Sequence, residues 1–195
     1  MTIEEHRATA VVSLAHTLLL YTMMWLQLLT REDAKRRVEK CGEKFSHHDT
    51  NDLGALFGQR CFLNYIEQAI PFLVTLWLCS LCVSSQLAAT LGTIGLVSRI
   101  FYPLLWALGP GGTFSPLVEF STQPWYCCIF GNAGAAVTWI LFDFNIMDEL
   151  QGWQVFVAVL GYCLCGWFLV FGMGGILHLS TKWAFHINEA KSRTD

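Results

Sequence analysis

CFLNYIEQAIPFLVTLWLCSLCVSSQLAATLGTIGLVSRIFYPLLWAL, residues 61–108, decides the fold, because Glu67 and Arg99 are the only charged side chains in it. About 20 apolar residues in a helix, at 1.5 Å each, cover the roughly 30 Å hydrocarbon core of a bilayer. The stretch holds two such lengths, Cys61 to Ser84 and Leu87 to Leu108, parted by a Ser84-Ser85-Gln86 corner. They read as a helical hairpin across a membrane. Toward the N-terminus, Ala8 to Leu29 carries no charge and forms a further span. A cleaved signal peptide competes for that segment, but its apolar length exceeds the usual 7–15 residues and no small-x-small site follows Leu29.

Toward the C-terminus, Gly109-Pro-Gly-Gly-Thr-Phe-Ser-Pro116 breaks the helical pattern, and the loop is expected to run on to Pro124. Beyond it lie Trp125 to Phe142, a polar turn from Asp143 to Gly152 with Asp148 and Glu149, and Trp153 to Leu177. The expected fold is an all-α polytopic membrane helical bundle of four to five transmembrane helices. It forms one membrane domain over residues 1–195, with spans at 8–29, 61–84, 87–108, 125–142 and 153–177 and a polar loop at 30–60.

Composition agrees. Hydrophobic residues make up 54% of the chain and charged ones 14%, against about 25% charged in soluble domains. Twelve Lys and Arg against fifteen Asp and Glu leave a net charge of −3 with no basic stripe, which excludes a nucleic-acid interface. Seven of the eight cysteines sit in or beside apolar runs and only Cys41 in a polar segment, so they read as reduced thiols packed as small hydrophobes. Cys79-x-x-Cys82 falls under the same reading. His47, His48 and Asp49 are adjacent and lack a zinc-type spacing, so no metal site is expected. A haem-ligating pair among His16, His178 and His186 would need two of them at matched depth on facing helices. No Walker or dinucleotide glycine pattern occurs.

Seven Lys and Arg, counting Arg60, lie between the first two runs, against Arg7 alone on the N-terminal flank. The positive-inside rule therefore puts the 30–60 loop in the cytoplasm and the N-terminus opposite. Five spans return Lys182, Lys191 and Arg193 to the cytoplasmic side, which favours five over four. Trp25, Trp106, Trp125, Trp153 and Trp183 near the run ends fit an interfacial aromatic belt.

Arg60, Asn64, Glu67 and Pro71 are spaced four, three and four, so they share one helical stripe. Arg99, Tyr102 and Trp106 share another, at three and four. A charge at bilayer depth costs at least about 2.5–3.5 kcal/mol, so such groups face protein or water and pair. At the helical rise Glu67 lies about 10 Å and Arg99 roughly 13 Å from the same surface. A Glu67–Arg99 pair, with hydrogen bonds from Asn64 and Tyr102, is the expected arrangement. On physical grounds it serves equally as a lock between two helices or as a polar ligand site.

Arg60-Cys-Phe-Leu-Asn64-Tyr-Ile-Glu67, followed by Pro71 and then Arg99-Ile-Phe-Tyr102, resembles the signature of the membrane-associated proteins in eicosanoid and glutathione metabolism, with the MAPEG-like core over 55–110. The resemblance implies a homotrimer of four-helix subunits in the endoplasmic reticulum, an integral multi-pass protein that binds glutathione as co-substrate between neighbouring subunits near the cytoplasmic side. It implies that Arg60, Asn64, Glu67, Arg99 and Tyr102 hold the tripeptide or support that site, that Arg99 and Tyr102 are catalytic, and that lipophilic electrophiles from the bilayer are the second substrate. The small residues Gly92, Gly95, Gly131 and Gly134 permit the tight packing a trimer needs, and Gly172-Met-Gly-Gly175 also suits close helix approach. The chain departs from the pattern in four places. Gln68 stands where a Tyr commonly follows the Glu, and Pro71 comes one residue late. Trp106 replaces a second Tyr, and the thiol-activating arginine falls near Thr113, in a loop without a cation. The alternatives are a non-catalytic scaffold and a structural subunit of a larger membrane complex.

Glycosylation acceptor sites placed between Thr30 and Gln59 should stay unmodified when the chain is inserted into microsomes; modification there would reverse the topology.

Overall fold

The computed structural model of the chain describes residues 3–45, 52–109 and 115–192, with residues 183–192 as backbone only. After a 3-10 turn over Ile3–His6, helix α1 runs unbroken from Arg7 to Lys40. The first part of the polar segment is thus a continuation of the first span. Arg, Glu, Ala and Lys are good helix formers, and Glu32 and Arg36 pair one turn apart at 3.5 Å. A turn at Cys41 and Gly42, the latter at φ +78°, ends it.

Helix α2, Leu53–Cys82, starts two turns before Arg60 because Asp52 caps it, accepting from the Ala55 N–H at 3.0 Å. The same carboxylate receives Arg37 Nη2 at 2.8 Å and Nε at 3.2 Å, tying the extended end of α1 to the start of α2. That guanidinium, aided by the cap, holds the Asp52 carboxyl below its ordinary pKa. The stabilisation is therefore present at neutral pH and lost as pH falls through the lowered value.

Ser84 caps α3, Ser85–Ile100, by accepting from the Leu87 N–H at 3.3 Å. Pro103 offers no N–H to the Arg99 carbonyl, so the third span breaks at Phe101 and resumes as α4, Tyr102–Ala107. The next connection does not run to Pro124. Ser115 accepts from the Leu117 N–H at 3.2 Å, a 3-10 turn covers Pro116–Val118, and α5 spans Glu119–Phe142 with Pro124 inside it. Its buried stripe already includes Ser121 and Trp125, and that packing outweighs the one backbone bond lost at proline. Trp125 is consequently several residues into the span and fully buried, not part of an interfacial belt.

A short α6, Ile146–Glu149, turns the chain into α7, Trp153–Ser192, which continues past the expected Leu177. Five helical segments are long and apolar enough to cross a membrane, and among the described residues there is no strand. The chain is an all-α, multi-pass integral membrane protein.

Helices α1, α2, α3 and α5 pack against one another around Phe72, Leu76, Trp125 and Cys61. Helix α7 lies chiefly along α5, and its later turns, from Phe168 to Leu179, are exposed. The glycines assigned to a trimer contact are used within one chain. A Cβ on Gly92 would stand 2.8 Å from both Leu76 Cδ1 and Val12 Cγ1, one on Gly95 would stand 2.9 Å from the Phe72 ring, and Gly134 faces Tyr162 of α7. Gly172, Gly174 and Gly175 meet no other helix among the described residues of the chain, because α7 has left its neighbours by that point. All eight cysteines are free thiols, with Cys61, Cys79, Cys128 and Cys163 buried.

These distances set a contrast. Gly92→Leu should lower thermal stability in mild detergent by about 1–3 kcal/mol through overpacking, whereas Gly175→Leu should leave it within about 0.5 kcal/mol, as expected of an exposed position.

Candidate functional site

Arg99 enters the bundle from the last turn of α3 and is only 1% exposed. One of its terminal nitrogens, Nη2, donates to Gln68 Oε1, and Gln68 Nε2 donates in turn to the Tyr126 hydroxyl at 2.8 Å. The chain α3–α2–α5 is thus joined through three polar side chains. The guanidinium carbon lies 5.0 Å from the centre of the Tyr102 ring and 4.9 Å from that of Trp125, within cation–π range of both. Arg99 Nε and Nη1 are buried and have no hydrogen-bond partner.

The expected Glu67–Arg99 pair is not formed. Glu67 is exposed on the outer surface of α2, and Gln68 occupies the place facing Arg99. The cause is helical geometry: successive residues point about 100° apart, and the buried face of α2 runs Cys61, Tyr65, Gln68, Phe72, Leu76. A neutral amide in that face is also far less costly to bury than a carboxylate.

The other residues of the α2 stripe follow Glu67 outward. Arg60 is exposed; Asn64 is half-buried, with its Oδ1 shut away from solvent and lacking a partner. Tyr102, the first residue of α4, is buried beside Arg99. Of the five expected site residues, then, Arg99 and Tyr102 come together inside the bundle, Arg60 and Glu67 lie on its exterior, and Asn64 is half-buried between the two.

A second polar group lies in the same core, built on His16, which the sequence offered only as a haem-ligand candidate, and on Tyr65, which it did not single out. His16 of α1 is buried, with Nδ1 3.0 Å from the Tyr65 hydroxyl and Nε2 3.3 Å from the Gly92 carbonyl; the Tyr65 hydroxyl also lies 2.8 Å from the His16 carbonyl. The His16 ring meets Phe72 at 4.3 Å and Trp125 at 5.0 Å, and Trp125 stacks on Phe72 at 4.2 Å. Tyr65, Gln68 and Phe72 recur at three- and four-residue intervals, which is the signal that marks this face. With both ring nitrogens engaged, His16 is a structural histidine. His178 is exposed on α7, so the two do not form a facing pair.

Among the described residues no three His, Cys, Asp or Glu side chains converge as metal ligands. His47, His48, Asp49 and Thr113 lie outside the described residues, as does the His186 side chain.

A sequence model of the MAPEG family matches residues 9–116, more than half of the 195-residue chain. The matched segment includes most of α1, all of α2, α3 and α4, and every one of the five stripe residues. No curated protein and no solved structure matches the chain.

Removing the Gln68 amide should expose the cost of the buried cation. Gln68→Leu is expected to lower unfolding stability in detergent by about 1–3 kcal/mol or more, and Arg99→Leu in the same chain should restore part of it. Glu67→Gln, being exposed, should stay within about 0.5 kcal/mol.

Proposed function

The chain belongs to the MAPEG family, and on that premise we propose that it is a membrane glutathione-binding transferase or peroxidase acting on lipophilic electrophiles. One observation carries the reading: Arg99 is a fully buried cation with no carboxylate beside it and with two unpartnered nitrogens. Such a group costs several kcal/mol unless an anion meets it. Glutathione supplies two carboxylates and, on ionisation, a thiolate.

On this reading Arg60 and Arg99 take anionic groups of the tripeptide, Glu67 takes its ammonium, and the orphaned Asn64 Oδ1 accepts an N–H. Tyr102, held against the Arg99 guanidinium, is the donor that stabilises the thiolate. The thiol gives its proton to water, the sulfur forms a bond to the electrophilic carbon, and the displaced group leaves with the electron pair. Arg99 and Tyr102 bear this load because the position near Thr113 offers no cation.

The outward direction of Arg60 and Glu67 supports a site completed by a neighbouring copy, in a homotrimer whose Lys- and Arg-rich end faces the cytoplasm. The endoplasmic reticulum membrane would deliver apolar substrates by lateral diffusion. A second reading is favoured by the Gln68 bridge, which ties α2, α3 and α5 together as a structural lock does. In that case the protein is a non-catalytic scaffold or a subunit of a larger complex.

Calorimetry with glutathione on the purified protein separates the two. Binding is expected, with loss in Glu67→Gln, and Tyr102→Phe should retain binding while turnover drops by about 10²–10³. If the wild-type protein has no measurable affinity while Gln68→Leu dissociates the assembly, the lock is what remains.

A further inference from the structure

The part of the chain beyond the family match builds a cavity of its own. Helix α7 runs along α5 but stands off from α2, leaving a groove of about 700 Å³ between Pro71 of α2, the first three turns of α5, and Trp167, Val170 and Phe171 of α7. That volume lies within the range of small-molecule sites, about 300–1,000 Å³.

The groove has two chemically different ends. At one, Glu119 opens α5 and is held by Gln123, whose Nε2 donates to Glu119 Oε2 at 2.7 Å. Glu119 and Tyr126 both line the groove. At the other end the wall is aromatic. The rings of Tyr126 and Trp167 meet at 70° with centroids 5.2 Å apart, and Phe171 stacks on Trp167 at 4.8 Å. Among the described residues no lysine or arginine lines the groove. Arg99 is buried behind Tyr126, joined to it through the Gln68 bridge.

A carboxylate at one end of an apolar, aromatic-walled slot suits an alkylammonium ion, whose charged head gains Coulomb attraction to Glu119 while its alkyl chain packs along the rings. The rest of the slot is apolar and opens beside the exposed turns of α7. Glu119 to Phe130 covers roughly 16 Å of helix, enough for an extended alkyl segment. A fatty acid entering the same way would bring its carboxylate against Glu119 and be repelled.

We infer that the groove between α2, α5 and α7 is a binding site for a single-chain amphiphile with a protonated amine head, the head against Glu119 and the chain along Trp167 and Phe171. The site is independent of glutathione binding, and its ligand enters sideways from the bilayer.

The test places the full-length protein in zwitterionic phospholipid nanodiscs without glutathione. Nitroxide-labelled octadecylamine, octadecanol and stearic acid are titrated at equal membrane mole fraction. The Trp167 contribution to fluorescence is isolated by subtracting the signal of Trp167→Phe. Octadecylamine should quench Trp167 at a concentration at least about tenfold lower than stearic acid, about 1.4 kcal/mol of preference. Glu119→Gln should bring amine and alcohol to the same midpoint, and Val170→Trp should abolish quenching by all three while the helical melting curve is kept. Equal quenching by amine and acid overturns the inference, as does an amine preference that survives Glu119→Gln. So does a Val170→Trp protein that changes oligomer size yet still binds the amine, since the groove would then be covered by a second copy of the chain.

Discussion

A guanidinium held between apolar helices is the constraint to which the rest of the bundle is fitted. Arg99 cannot lose its charge, so the helices around it must offer dipoles and ring faces in place of water. Helix α2 supplies the Gln68 amide, α5 the Tyr126 hydroxyl behind it and the Trp125 ring, and α4 the Tyr102 ring. The break at Phe101, caused by Pro103, lets α4 begin with Tyr102 directly beside the arginine of the preceding turn.

The aromatic layer next to Arg99 extends the same logic toward α1. Trp125 lies between the cation and a stack of Phe72 and His16, and His16 is fixed in turn by Tyr65 and the Gly92 carbonyl. Each polar atom in this layer that has a partner finds it on a different helix, so the layer fixes the rotation of α1, α2, α3 and α5 about their axes in a way that lipid-like Leu and Val contacts do not. The unpartnered nitrogens of Arg99 and of the Trp125 ring are exceptions, and the charged ones, on Arg99, support the proposed ligand. Helix α7 stands outside the arrangement: it touches α5 through small residues at Gly134 and Gly166 and leaves open grooves on either side.

The amino-acid sequence by itself determined the class of fold, since five long apolar runs, each about the length of a bilayer-spanning helix and none alternating as barrel strands do, satisfy their backbone as helices across a bilayer. It also marked Arg99 and Tyr102 as a pair, because residues three apart share a face whatever surrounds them. What it did not determine was the rotation of α2. Glu67 and Gln68 are adjacent, both polar, and about 100° apart on the helix. A charge-pairing argument selects the first, while the buried face through Tyr65, Phe72 and Leu76 selects the second. The start of α5 was likewise hidden, because Pro124 reads locally as a stop and only the burial of Ser121 and Trp125 against α2 and α3 makes a helix through it favourable. Local spacing dictates which side chains travel together on a face. Which face turns inward is decided by the summed burial of every helix at once, and that sum exists only in the tertiary structure.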